Sequence, residues 1–183
     1  MNFVNYSLYM AINYLNIKKL FSTSPDSNEK VKSNISISSI PETPKIILII
    51  FPIQQDFFRV ASYSYRNLPY DKDKIEFHYI VDTNFIESFS LRRGMVHKMK
   101  LDNKLRIINK NDLLLQLSKI NFDIIIDLNI SYESSIEDFI AKQSSNYKIG
   151  FKHDKSDSLY NVQLDISKSQ IAEKGYQQIL DLI

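Results

Sequence analysis

The sequence contains no cysteine and only three glycines in 183 residues. Without cysteine the chain forms neither disulfides nor a thiolate nucleophile, and it is compatible with a reducing compartment. With so few glycines it has no phosphate-binding loop of the GxGxxG or GxxxxGK[ST] type. The composition therefore excludes a nucleotide site built on a glycine-rich loop.

An excess of one charge is also missing, because 23 Lys and Arg residues are interspersed with 21 Asp and Glu residues. A net charge of +2 argues against a dedicated nucleic-acid binder. The three histidines, His78, His97 and His153, are far apart in the sequence and form no HExxH or His-x-His motif. The sequence therefore predicts no metal site, and we expect no cofactor.

Residues 1–21 have the pattern of an amphipathic helix. Four asparagines fall on one stripe of a helical projection, and apolar side chains cover most of the remaining surface. The segment has too many asparagines for a transmembrane span and no basic region like that of a signal peptide. We expect this helix either to lie on a membrane surface or to pack against its own domain or a partner chain.

Residues 22–44 are rich in Ser, Pro and Asn and have too few apolar residues to fold, which predicts a flexible linker. The folded domain is predicted to span residues 45–183.

Two continuous apolar runs, KIILIIF (45–51) and FDIIIDL (122–128), predict strands buried on both faces at the centre of a parallel sheet. The alternation of strand and helix patterns predicts an α/β fold, a single Rossmann-like domain with helices on both sides of the sheet. The other predicted strands are 75–82, 95–101, 105–109 (or a connecting extension), 147–151 ended by Gly150, and 159–166 (or an extended arm). The predicted helices are 56–68, 84–91, 111–120 capped by Asn111 or Asp112, 133–145, and 167–183 capped by Ser167.

Four segments occur in an order that resembles the N-terminal half of the heptosyltransferase-like glycosyltransferases of family 9. They are KIILIIF (45–51) with a following aspartate, IEFHYIVDTNFIESF (75–89), FDIIIDL (122–128) and NYKIGF (146–151). The resemblance implies one of two facing Rossmann-like halves, with the active site in the cleft between them. It also implies that this half receives a lipid-linked sugar acceptor, as in lipopolysaccharide biosynthesis, while the other half binds the nucleotide-sugar donor.

Asp56 is the residue that matches the family's catalytic aspartate after the first strand. The match departs from the family in two places: Gln55 replaces the usual glycine, and Phe51-Pro52 replaces the usual basic residue. Asp56 is therefore interpreted either as a general base or as the N-cap of the helix 56–68.

Asp127 and Asn129 end the second buried strand and are interpreted either as acceptor-binding residues or as caps of the next helix. His153 lies between charged residues and is interpreted as a solvated loop residue or, alternatively, a metal ligand. Arginines are interpreted as solvated or as anion-binding groups; they are Arg59, Arg66, Arg92 and Arg93.

The resemblance covers the acceptor-side half of the family only, which leads to two hypotheses. The first is a binding or scaffold module that does not catalyse on its own, located in the cytoplasm or peripherally on the inner face of the membrane. The alternative is a subunit of a split glycosyltransferase, in which a separate chain supplies the donor half and Asp56 is the base.

Overall fold

The computed structural model describes residues 46–66, 68, 75–91, 93–167, 169 and 171–183. The predicted helix 1–21, the predicted linker 22–44 and the predicted start of the domain at Lys45 lie outside these residues, as does Arg92. The described residues all belong to one structural unit.

Six strands form one sheet in which every pairing is parallel, in the order β3-β2-β1-β4-β5-β6. The strands are β1 (Ile46–Ile50), β2 (Glu76–Asp82), β3 (Met95–Met99), β4 (Phe122–Asp127), β5 (Ser145–Phe151) and β6 (Val162–Leu164). The predicted α/β class and parallel sheet are confirmed, and the two continuous apolar runs form the central strands β1 and β4. This strand order is that of a doubly wound, Rossmann-like sheet, which reverses direction between β1 and β4.

Helices cover both faces of the sheet. They are α1 (Gln55–Tyr65), α2 (Lys110–Leu117), α3 (Ser134–Ala141) and α4 (Ala172–Leu180), with 3₁₀ turns at Thr83–Ser88 and Ser156–Ser158. On one face, Ile47 and Ile49 of β1 pack in a cluster with side chains of α1 and α4. On the other face, Leu48 and Ile50 pack with side chains of α2 and α3. The side chains of residues 47–50 of β1 are fully buried, which explains why this strand is apolar without alternation.

The predicted strand 105–109 is wrong, because the segment makes only one antiparallel bridge, from Leu101 to Ile107. The Asp102 carboxylate accepts the backbone N–H groups of Lys104 and Arg106, which holds the chain in a tight turn. Leu105 accordingly has a positive φ of 57°. Side-chain hydrogen bonding of this kind competes with extended pairing.

The helix starts also differ from the predictions. Helix α4 begins at Ala172 instead of residue 167, because the Asp165 side chain accepts the N–H of Ser167 and holds a turn there. Asn109, rather than Asn111 or Asp112, precedes α2. Its side-chain Nδ2 donates to the carbonyl oxygen of Lys98 in β3, and its Oδ1 accepts the backbone N–H of Lys100, the residue after β3. The segment predicted as 159–166 is a strand only over Val162–Leu164.

None of the helices in the described ranges has the length and apolar character needed to span a bilayer.

Candidate functional site

The carboxyl ends of β1 and β4 lie side by side, because Ile50 pairs with Asp127 in the sheet. The strand order reverses at this point, which is where open α/β sheets bind their ligands. Three segments follow the strands here: residues 51–54 after β1, 128–133 after β4 and 152–160 after β5. We refer to these three segments, together with Asp127 and the first turns of α1 and α3, as the carboxyl edge.

Asp127 is the last residue of β4, and both of its carboxylate oxygens are bonded within the protein. Its Oδ1 accepts the backbone N–H and the side-chain Nδ2–H of Asn129, at 2.9 and 2.7 Å. Its Oδ2 accepts the hydroxyl of Tyr160 at 2.7 Å. Burial raises the pKa of Asp127, against the opposing effect of these hydrogen bonds. The side chain is only 2% exposed, so it holds neighbouring residues of the edge in place and is itself buried below them.

Asn129 connects β4 to the loop after β1. Its side-chain Oδ1 accepts the backbone N–H of Ile53 at 3.0 Å, and the residue is 6% exposed. The residue that precedes α3 is Glu133, so neither Asp127 nor Asn129 caps the next helix, and that alternative is wrong. Both residues lie at the predicted edge, where they fix the positions of the loops that a ligand would contact.

Tyr160 reaches Asp127 only because a glycine lies under its ring. A Cβ atom on Gly150 would lie 2.6 Å from Cζ of Tyr160. The prediction that Gly150 ends a strand is wrong, since β5 continues through Phe151. The glycine is required by the close approach of the ring and not by a turn.

Asp56 lies in the first turn of α1, while Gln54 holds the N-cap position. The interpretation of Asp56 as the cap is therefore wrong, although a carboxylate in a first turn is favoured by the helix dipole. The Asp56 side chain is exposed and has no hydrogen bond or ion pair with any other described residue. The Gln54 side chain instead donates from Nε2 to Oε1 of Glu133 across the edge, at 3.2 Å.

Of the two arginines considered together as anion-binding groups, Arg59 lies within α1 and Arg66 is the residue that follows the helix. Arg66 lies over the ring of Tyr63, with 4.1 Å from its guanidinium carbon to the ring centroid, while Arg59 is exposed. Arg93, outside the helix, is also exposed.

The sequence analysis missed a pair of ionisable side chains at the carboxyl edge. Nε2 of His153 lies 3.0 Å from Oε1 of Glu137, and each side chain is 13% exposed. The backbone N–H of Lys155 lies 3.3 Å from Nδ1 of His153 and points to it as donor, so the ring proton is on Nε2 and is donated to Glu137. His153 is thus not a solvated loop residue, and that interpretation is wrong.

The surroundings of this pair change its proton affinity. Burial and the neighbouring Asp127 carboxylate raise the pKa of Glu137 to about 7, while Lys155 opposes this rise. Burial lowers the pKa of His153. Near neutral pH the pair therefore combines a neutral imidazole with a carboxylate that is partly protonated.

A positional signal for this pair was present in the sequence. His153 follows β5 by two residues, and Glu137 lies in the first turn of the helix after β4. In a parallel sheet, the residues that follow adjacent strands share the carboxyl edge, so ionisable residues at these two positions are expected to be neighbours.

The other two histidines form a second cluster, away from the carboxyl edge. Nδ1 of His78 lies 3.0 Å from Nε2 of His97 with the rings nearly coplanar, and Nε2 of His78 lies 2.8 Å from the carboxylate of Glu76. Glu76 is the first residue of β2, so the cluster extends toward the amino-terminal edge. Among the described residues no group of three His, Cys, Asp or Glu side chains is placed to hold a metal ion.

The fold and this edge define the described part of the chain as a doubly wound α/β domain with acidic and hydrogen-bonding side chains at its topological switch point. Comparison with protein-family models, with curated proteins and with solved structures finds no match for this chain.

Proposed function

We propose that this domain is a glycosyltransferase-like binding module of the acceptor-side, heptosyltransferase-like kind, and that it does not transfer sugar on its own. In this proposal the carboxyl edge holds a hydroxyl-rich glycan, and the domain acts as a binding or scaffold module. Two things support it: the order of the four resembling segments, and the doubly wound sheet whose switch point carries polar side chains.

The charge of the carboxyl edge is the observation that carries the choice of ligand. Asp56, Glu133 and Glu137 all lie at this edge above the buried Asp127, with Lys155 as the cation that acts on Glu137. Sugar hydroxyls donate hydrogen bonds to carboxylates, which are strong acceptors. The diphosphate of a nucleotide sugar needs cations and N–H donors instead, and carboxylates repel it. The edge therefore suits an uncharged glycan better than a donor nucleotide.

A pair of titrations by calorimetry tests this proposal on the full chain. One titrant is a core oligosaccharide released from lipopolysaccharide and stripped of its phosphates and acidic sugars, so that it is uncharged, and the other is a nucleotide sugar such as UDP-glucose. We expect the oligosaccharide to bind and the nucleotide sugar not to bind. Leu115→Ala, an exposed change on α2, is the control that should leave binding unaffected. Absence of oligosaccharide binding, or tighter binding of the nucleotide sugar, would contradict the proposal.

The second candidate is a subunit of a split glycosyltransferase, and the exposed Asp56 favours it. A general base must reach the hydroxyl whose proton it takes, and Asp56 is accessible at the end of α1 nearest the switch point. This candidate predicts that the chain transfers sugar when combined with a donor-half chain encoded by a neighbouring reading frame. Asp56→Asn should then reduce turnover by roughly 10²–10⁴-fold. Turnover that Asp56→Asn leaves unchanged would remove Asp56 as the base.

The membrane part of the proposal rests on residues 1–21 alone. We propose that this segment brings the domain to the inner face of the membrane or to a partner chain, as its wide apolar face suggests.

A further inference from the structure

The buried residues of the carboxyl edge leave little for a ligand to bind. Both oxygens of Asp127 and the side-chain oxygen of Asn129 are already bonded within the protein. Glu137 differs: its Oε1 accepts from His153 and the backbone N–H of Glu133 also bonds its carboxylate, but a carboxylate has about four acceptor sites. Its side chain also retains contact with solvent. Glu137 therefore keeps one acceptor for an incoming donor.

Aromatic rings contact the histidine that bonds this acceptor. His153 has Tyr132 on one side and Tyr160 on another, both in edge contact, with ring centroids 5.6 and 6.1 Å away. Tyr132 is 40% exposed, while Tyr160 is buried. Nζ of Lys155 lies 4.3 Å from the centroid of the Tyr132 ring and 3.2 Å from its hydroxyl, which holds this ring at the edge.

A carboxylate oxygen beside an exposed aromatic ring fits the two chemical surfaces of a sugar. The ring face of a sugar carries C–H groups that pack on the negative face of an aromatic ring, while its rim carries hydroxyl donors. Small-molecule sites commonly combine an aromatic wall with a few placed polar groups.

We propose that Glu137, positioned by His153 and flanked by Tyr132, is the contact point for a sugar hydroxyl at the carboxyl edge. The hydroxyl donates to an acceptor site of the Glu137 carboxylate that the protein leaves unoccupied, the sugar packs against Tyr132, and His153 acts as a positioning residue through its bond to Oε1. This inference rests on the proposed glycan-binding function and assigns to it residues that neither the resemblance nor the sequence pattern indicated.

The site should respond to pH, because its acceptor titrates near neutrality. The charged groups that act on Glu137 are Asp127 at the end of β4, Asp138 on α3 and Lys155 after β5. Asp154 and Lys155 act on His153 in opposite directions. A hydrogen bond to an ionised carboxylate is roughly twice as strong as one to a neutral group, so glycan binding should strengthen as Glu137 ionises around pH 7.

The test is a titration of the full chain with the core oligosaccharide at pH 6 and pH 8, for wild type and three variants. Glu137→Gln keeps the shape of the side chain and an oxygen acceptor for His153 but removes the negative charge. Tyr132→Ala removes the exposed aromatic ring against which the sugar packs. Asp181→Asn is the matched control, because it removes an exposed carboxylate at the carboxyl end of α4, outside the carboxyl edge. We expect about a 10-fold loss of affinity for Glu137→Gln, in line with a lost charged hydrogen bond of about 1.5 kcal/mol. We expect a similar loss for Tyr132→Ala and less than about a twofold change for Asp181→Asn.

The outcomes separate this inference from the function on which it rests. Wild-type affinity that rises from pH 6 to pH 8, with a flat profile in Glu137→Gln, supports it. Oligosaccharide binding that Glu137→Gln retains with the same pH profile overturns the inference and leaves the proposed function standing. Absence of binding by the wild type at both pH values overturns both.

Discussion

The hydrogen bond from Tyr160 to Asp127 should be the costliest single polar contact of the carboxyl edge to remove. Tyr160→Phe deletes a hydroxyl that lies 2.7 Å from Oδ2 of a carboxylate that is only 2% exposed. The ring stays in place, but the buried oxygen loses its partner. Hydrogen bonds to charged groups contribute about 1.5–3 kcal/mol, and an unsatisfied buried acceptor costs a similar amount. We expect the free energy of unfolding to fall by about 2–3 kcal/mol.

Tyr176→Phe is the matched control, because its hydroxyl donates at 3.2 Å to the backbone carbonyl oxygen of Leu128, a neutral acceptor on the adjacent residue. That loss should cost about 1 kcal/mol. A second comparison uses Asp127→Asn, which keeps one oxygen acceptor for Asn129 and turns an N–H₂ group toward the hydroxyl oxygen of Tyr160. In that background Tyr160→Phe should cost only about 1 kcal/mol, because no charge is left unsatisfied.

The penalty should also depend on pH. The hydrogen bond from Tyr160 lowers the pKa of Asp127, so its removal raises a pKa that burial has already raised. A raised folded-state pKa contributes stability at pH values below the unfolded pKa, and that contribution is lost as pH rises through the folded pKa. Tyr160→Phe should therefore be more destabilising at pH 8 than at pH 5 in urea denaturation. Equal losses of stability for Tyr160→Phe and Tyr176→Phe would refute this reasoning. So would a cost of Tyr160→Phe that is the same in the Asp127→Asn background as in the wild type.

Three further predictions concern other parts of the chain. Gly150→Ala should displace the Tyr160 ring and destabilise the domain by about 1–3 kcal/mol in urea denaturation, and wild-type stability would contradict the close approach. Glu137→Gln should reduce the difference between the free energies of unfolding at pH 5 and pH 8 by about 1 kcal/mol, after allowance for solvent screening. The reason is that the folded pKa of about 7 lies above the ordinary 4.5, so this contribution is lost as pH rises through 7, and an unchanged pH profile would contradict it. In liposome flotation, the full chain should float and a chain starting at Lys45 should not, whereas equal behaviour removes membrane binding through residues 1–21.

The centre of the fold could be predicted from the sequence because β1 and β4 are buried on both faces. A strand in that position must be apolar throughout, and such runs are unambiguous when turn residues bound them. The polar turns around Asp102 and Asp165 were harder to predict. There a single carboxylate bonds backbone N–H groups two to four residues ahead, and this local competition overrides the strand or helix propensity of the neighbouring residues.

The candidate site could be predicted only in part. The positions of Asp127 and Asn129 followed from their place at the end of a buried strand, but their bonding to Tyr160 and Ile53 depends on contacts over 33 and 76 residues. The Glu137–His153 pair had only a positional signal in the sequence, and the contact itself depends on the pairing of β4 with β5.

Amide chemical-shift mapping of the full chain with the core oligosaccharide tests most directly whether the carboxyl edge binds a glycan. If the edge binds the glycan, we expect saturable shift changes in residues 128–133 and 152–160 and none around His78 and His97. Shift changes confined to the His78–His97 cluster, or none at all as the oligosaccharide is added in excess, would contradict the claim that the carboxyl edge is a glycan-binding site.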